Sequence, residues 1–478
     1  MRRRPFRSNL AVLVTVAAAL LLSAASAQAQ PAHQSGAGGP RFSAGADGLG
    51  DPYFPLAGNG GYDVQHYDLN LAYSPPTHQL TATATIVARA TQNLSRFDLD
   101  LQGLTVRSVS VDGLPARFSR DGQELVVTPR FGLLARRPFV VTVRYSGSPE
   151  TIKASPIVFG SDYGWIYTDD GVFVGSEPNA ASTWYPSNDH PTDKASFSYT
   201  VTVPRGLTVA ANGRMVGQFT HGATTTFRYD EPAPMATYLA TVDIGQFTVQ
   251  RTATPAGIPS LVFTDPALPA STVDVAGITG AVTDYWSQLF GRYPFDSTGA
   301  IVDNTPVAGF SLETQTRPLY SAVRSEVTIA HELAHQWFGD EVSVKSWRDI
   351  WLNEGFATFS QWLWSEHTGG ATAAALFQSG YDNRPATSAF WTVTVADPRR
   401  DTMFSSAVYQ RGAMTLEALR QKIGDPEFFQ LLRTWLATHR YGNGSTDEFT
   451  ALAQQVSGQD LTSFFTTWLR TPSKPTTW

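Results

Sequence analysis

No cysteine occurs among the 478 residues. That excludes disulfides and a lipid-anchoring cysteine, and it leaves histidine and carboxylate as the side chains from which a metal site would be built. Basic clusters are missing too. The 35 Lys and Arg against 41 Asp and Glu give a net charge of −6, with no polybasic block of the kind that neutralises nucleic-acid phosphates. Neither a nucleic acid nor another polyanion is therefore expected as a partner. Long apolar runs are scarce. Residues 10–22 (LAVLVTVAAALLL) form one, shorter than the roughly 20 residues that span a bilayer, and no other stretch could cross. Arg2, Arg3, Arg4 and Arg7 precede this run and Ser23-Ala-Ala-Ser-Ala-Gln-Ala29 follows it, the order of a signal peptide. Residues 1–29 are thus expected to be removed, with cleavage after Ala29 or Ala27, leaving a secreted or extracytoplasmic chain without a transmembrane segment. Arg3-Arg-Pro-Phe6 faintly resembles a twin-arginine signal, so the export route stays open.

What is present points to a globular protein of two or three domains, since 42% hydrophobic and 12% aromatic residues supply ample core. Residues 30–52, rich in Gly, Ala, Ser and Pro without apolar period, read as a flexible linker. From residue 62 the pattern has period two: Tyr67, Leu69, Leu71 and Tyr73 share one face, and LTATATIVARA follows at 80–90. Further strands are expected at 104–111, 124–128, 138–145, 196–203, 224–229, 236–244 and 247–252, making 53–252 an all-β unit. Inside it, residues 175–191 read as a long ordered loop. After Pro266 the period becomes helical. Ser271 is the expected cap of a helix over 272–290, and helices are expected over 406–423 and 425–439, with a capping box at Ser445-Thr-Asp-Glu448 and a last helix capped by Asp460. Residues 253–478 thus read as an α-rich second domain.

Within it stands His331-Glu-Leu-Ala-His335. The run 326–338 holds no Gly or Pro and stops at Gly339, so it predicts a helix. Histidines four apart on a helix share a face and can converge on one ion, while Glu332 leans aside, where a carboxylate reaches a metal-bound water without ligating the metal. A catalytic zinc takes three protein ligands and leaves a fourth position open. Glu354 in Trp351-Leu-Asn-Glu-Gly-Phe356, near the start of a helix predicted over 352–367, is the expected third.

This pair of segments, H-E-x-x-H and then a Glu in W-L-N-E-G-F-A, resembles the signature of the M1 zinc aminopeptidases, the gluzincin group that includes aminopeptidase N and leukotriene A4 hydrolase. The resemblance runs over residues 55–470. It implies an α+β multidomain fold, with an N-terminal all-β saddle-like domain before a thermolysin-like, mostly helical zinc-peptidase domain. It also implies one zinc per chain on His331, His335 and Glu354. Family members usually continue into a large helical C-terminal domain, and with the sequence stopping at Trp478 a two-domain form is expected.

Other positions follow from the same resemblance. Gly309-Phe-Ser-Leu-Glu-Thr-Gln315 corresponds to the family's Gly-x-Met-Glu-Asn exopeptidase motif, placing Glu313 on the amine-binding glutamate. Leu312 stands for its Met, Thr314 for its Asn, and Phe310 where its Gly belongs, which puts the finer geometry of substrate binding in question. Glu177, twelve residues before Asp189, falls on a second substrate-binding position. Tyr409 in Tyr409-Gln-Arg-Gly412 matches the tyrosine that donates to the oxyanion, with Arg411 for the family's Lys. Thr358 could be an outer partner of a histidine ligand.

The expected activity is removal of N-terminal residues from peptides by attack of a zinc-bound water with Glu332 as general base. Glu313 and Glu177 would compensate the substrate's ammonium. Two alternatives remain at this point: a zinc hydrolase of different scope, either endopeptidase or epoxide hydrolase, and a non-catalytic peptide-binding relative.

Overall fold

Alternation of apolar and polar residues builds the first half of the molecule. A computed structural model describes residues 40–158 and 160–477; the expected signal peptide and residues 30–39 of the expected linker lie outside them. Strand Tyr62–Ser74 buries Tyr67, Leu69, Leu71 and Tyr73, as its period predicts. A register shift between Val64 and His66 puts Tyr62 and Val64 on the same buried face. This strand is central in an eight-stranded sheet. The order is Arg214–His221, Thr224–Ala236, Lys194–Pro204, Tyr62–Ser74, Gln79–Ala90, Pro138–Gly147, Thr105–Val111 and Leu114–Pro115. Neighbours run antiparallel except Lys194–Pro204 beside Tyr62–Ser74.

Two five-stranded sheets carry the chain toward the helices. One holds Thr151–Ser155, Ser161–Tyr167, Val172–Gly175, Val242–Gly245 and Thr208–Ala211, and Glu177 follows two residues after its third strand. The other begins with the hairpin Thr248–Ala253 and Pro259–Thr264 and continues through Thr298–Val302, Leu319–Tyr320 and Ser311–Leu312. That hairpin straddles residue 252, where the β and α-rich domains were expected to meet, so one sheet is built from both sides of that boundary.

Residues 43–52, expected as part of a flexible linker, are instead packed. Ser43–Ala44 pairs with Leu94–Asp100, and Asp51 is buried. The small residues serve close approach here: a Cβ on Gly45 would meet the Gly60 carbonyl at 2.4 Å, and one on Gly48 the Pro55 carbonyl at 2.0 Å. Composition alone could not separate that use from mobility.

The helices are α1 (Val275–Phe290), α2 (Glu326–Ala334), α3 (Trp351–His367), α4 (Ala373–Asp382), α5 (Ser406–Ile423), α6 (Asp425–His439) and α7 (Thr446–Ser457). Asp274, not Ser271, caps α1, its carboxylate accepting from Gly277 N. The capping box of Ser445 and Glu448 forms as expected. The last expected helix is shorter than foreseen: Asp460 accepts from Thr462 N, but regular turns cover Thr462–Phe465 and give way to a π turn over Thr466–Arg470. α3 packs on α2 and α5, which puts the site on three helices rather than on loops.

Candidate metal centre

Ser325 starts α2, accepting from Thr328 N. The helix ends at Ala334, four residues earlier than the sequence predicts, because Gln336 and Trp337 bond back to Leu333 O and Ala334 O in the tighter three-residue pattern. His331 and His335 still share a face. α3 brings Glu354 to that face in its first turn. Glu354 Oε2 lies 3.2 Å from His331 Nε2 and 3.5 Å from His335 Nε2, and all three side chains are buried. The sequence-predicted ligands therefore converge.

Their protonation suits a cation. His335 Nδ1 sits 3.0 Å from Phe338 O; a carbonyl only accepts, so Nδ1 carries a proton and Nε2 is left as the nitrogen that faces Glu354. This backbone carbonyl is the outer partner of His335, and Thr358 is buried at the wall of the same cleft. Burial disfavours charge on Glu354, but the His335 and His331 imidazoles outweigh it and hold its carboxyl down at about 2. Ligand atoms of the three residues all lie within 4.8 Å of one another, close enough for one ion to take all three.

A second group overlaps the first. Glu313, Glu332 and His335 also bring their ligand atoms within 4.8 Å of one another. The Tyr409 ring lies 6.1 Å from that of His331 at an interplanar angle of 14°. Both face a cleft of about 490 Å³ whose lining includes Glu177, Glu313, Glu332, Glu354, Tyr409 and Arg324. Burial, reinforced by neighbouring carboxylates, pushes Glu177, Glu313 and Glu332 above the usual carboxylate range and keeps the Tyr409 phenol protonated. Four acids around one cleft, with Arg324 as the flanking cation, form a site that favours added positive charge.

The altered motif keeps its glutamate in place. Thr314 is fully buried, and its hydroxyl donates to Arg317 O, so it turns away from the cleft. Phe310 fills space instead: its ring packs 6.0 Å from Phe173 and lies over Gly175, where a Cβ would come within 3.0 Å. Two supports escaped sequence reasoning. Gln336 donates to Glu313 O and accepts from Thr316 N, and Tyr238 links Asn353 to Glu313 through contacts of 3.4 Å. Gln336 adjoins a ligand and could have been suspected; Tyr238 arrives from the β region, and no local signal marks it. Lys194 Nζ, also from a β strand, donates to Asp340 O and Glu341 O just beyond α2.

A sequence model of the Peptidase M1 N-terminal domain matches residues 63–239, and one of the Peptidase family M1 domain matches residues 310–468. Aminopeptidase M1-D of Oryza sativa subsp. japonica is 25% identical over 437 residues, covering 84% of this chain and 47% of that protein. Probable aminopeptidase 2 of Sulfurisphaera tokodaii is 26% identical over 403 residues, covering 79% and 50%. The chain spans about half the length of the curated relatives it matches. A crystal structure of an M1 zinc metallopeptidase from Deinococcus radiodurans superposes with a TM-score of 0.82 at 30% identity, covering 90% of this chain and 98% of that one. A mutant of that enzyme bound to a Tyr-Ser-Ala substrate superposes with a TM-score of 0.83.

Proposed function

The chain belongs to peptidase family M1, and on that premise we propose that it is a zinc-dependent aminopeptidase acting on the N-terminal bond of peptides. One observation carries the reading: the His331, His335, Glu354 group and the Glu313, Glu332, His335 group share a histidine. Candidate metal ligands, base and amine anchor thereby meet at one cleft.

His331, His335 and Glu354 would hold the zinc. When bound, zinc supplies Lewis acidity, polarising the scissile carbonyl and making water nucleophilic near neutral pH. Glu332, raised by burial, is suited to accept a proton from the attacking water and to return it to the leaving nitrogen. Tyr409, kept protonated, donates a hydrogen bond to the developing oxyanion. Glu313 and Glu177, whose shared site disfavours both being charged without a counterion, pair with the substrate's ammonium. Binding that cation draws both carboxyls toward ionisation. The reading includes residues 1–29 as a signal peptide and a secreted or extracytoplasmic location. No helix among the described residues is long and apolar enough to cross a membrane.

N-acetylated and free peptides of one sequence, cleaved side by side, test the exopeptidase assignment. Hydrolysis of the free form alone is expected. Equal rates would instead favour an endopeptidase, for which the altered motif around Thr314 is the supporting feature.

A further inference from the structure

One face of the β region combines exposed apolar side chains with arginines. Phe42 lies across Gly132, where a Cβ would come 2.5 Å from its ring. Phe131 and Leu134, on either side of Gly132, are 67% and 46% exposed, and Phe42 itself is 38% exposed. Arg130, Arg136 and Arg137 stand among them, all exposed, with the Arg130 guanidinium 5.7 Å from the Phe131 ring centroid. The segment is fixed rather than loose. Leu133 exchanges two backbone bonds of 2.8 Å with Leu94, Arg136 N donates to Ala90 O at 2.7 Å, and Arg89 Nη1 donates to Arg136 O at 3.1 Å.

Arg348 meets Asp397, Arg440 meets Glu341 and Arg470 meets Asp447, while other exposed arginines, such as Arg117, Arg144 and Arg251, stand without an ion pair among the described residues. No such ion pair involves Arg130, Arg136 or Arg137 among the described residues. Acids border this face as well: Asp63 sits in register with Arg89, and Asp112 Oδ1 accepts from Val140 N, three residues beyond Arg137. A whole-chain charge of −6 therefore hides a local cationic face, one that sequence reading did not anticipate. Single exposed apolar residues are ordinary; three of them set among three unpaired guanidiniums are not.

We propose that this face docks on an anionic lipid surface. Guanidinium groups match headgroup phosphates in geometry and charge, while Phe131, Leu134 and Phe42 suit the interfacial zone just beneath them. None of these residues lines the cleft, and docking leaves it open.

Co-sedimentation of the full chain tests this, using vesicles of phosphatidylcholine alone and vesicles of phosphatidylcholine mixed with phosphatidylglycerol. Preferential partition to the mixed vesicles, weakened by salt, is expected. The triple variant Arg130→Glu, Arg136→Glu, Arg137→Glu should lose at least about a hundredfold in partition. The pair Phe131→Ser and Leu134→Ser should also weaken it, and both variants should keep wild-type peptide hydrolysis as proof of folding. Equal partition to both vesicles, or partition unchanged in the variants, overturns the proposal. So does retention by inorganic polyphosphate without vesicle binding. Self-association that the same variants abolish overturns it as well, assigning the face to a second copy of the chain.

Discussion

His335 Nδ1 lies 3.0 Å from the carbonyl oxygen of Phe338, and this contact inside the turn that ends α2 turns Nε2 toward Glu354. The metal site is thus prepared by backbone as much as by ligands. Glu354→Gln keeps the shape and removes the charge, so metal affinity should fall by more than about a hundredfold. Chelator should lower the Tm of the wild type and leave that of the variant unmoved, as read by thermal melts with and without added zinc.

Two glycines set how closely α3 approaches α5. A Cβ on Gly355 would stand 2.9 Å from Gly412 Cα, and one on Gly412 would stand 2.8 Å from Gly355 Cα. Helix propensity alone favours alanine by up to about 1 kcal/mol. Overpacking against backbone opposes it by about 1–3 kcal/mol, and we expect Gly355→Ala to be destabilising. Because Glu354 adjoins one glycine and Tyr409 precedes the other by one turn, kcat should drop at least about tenfold. A variant with higher Tm and unchanged kcat would contradict this.

Arg411 stands where the family motif has lysine, and the structure gives the reason. Its Nη1 donates to Trp391 O and Val393 O, and its Nη2 to Thr467 O, Thr471 O and Ser473 O. Burial lowers its pKa only to about 10, so the charge persists. A lysine, with three donors on one nitrogen, cannot reach both sets of carbonyls. Arg411→Lys should cost about 2–3 kcal/mol in denaturant unfolding, with turnover per folded molecule preserved.

Asp51 anchors the packed segment before the first long strand. It accepts from Tyr53 N at 2.8 Å, Ser346 Oγ at 2.8 Å and Trp347 N at 3.0 Å. Burial raises its pKa, but the His190 imidazole 3.6 Å away and the hydrogen bonds from Ser346 and the backbone prevail and hold it at about 2. A lowered carboxylate pKa contributes stability that is full above the unfolded value of 3.8 and lost as pH falls toward 2. The contribution is about 2 kcal/mol. Asp51→Asn should melt below the wild type at neutral pH, and the gap should narrow between about pH 4 and 2. A gap independent of pH would refute the assignment.

Much of the site was legible because its parts lie in short segments. His331 and Glu332 sit in one helix with His335 as its C-terminal cap, Glu354 begins another, and period and capping residues sufficed for α5, α6 and the box at Ser445. Strands Leu94–Asp100, Ser161–Tyr167 and Arg214–His221 went unread, because local alternation in them is weak, even though the last two pair with strands only a few residues away. Tyr238 and Lys194 were invisible for a different reason: only the folded β region brings them to α2 and α3. Asp51 was hidden by composition, since a glycine-rich stretch that packs closely reads like one that moves. The helix end at Ala334 was missed because Gly339 is a stronger stop signal than the tighter turns before it.

Glu332→Gln is the most direct test of the mechanism, because it separates holding the metal from using it. The amide fills the same space and leaves His331, His335 and Glu354 untouched. Metal analysis of the purified variant beside steady-state hydrolysis of an aminoacyl-arylamide should find one zinc per chain retained, KM little changed and kcat reduced by at least about a thousandfold. Retained zinc with undiminished kcat would show that Glu332 is not the base.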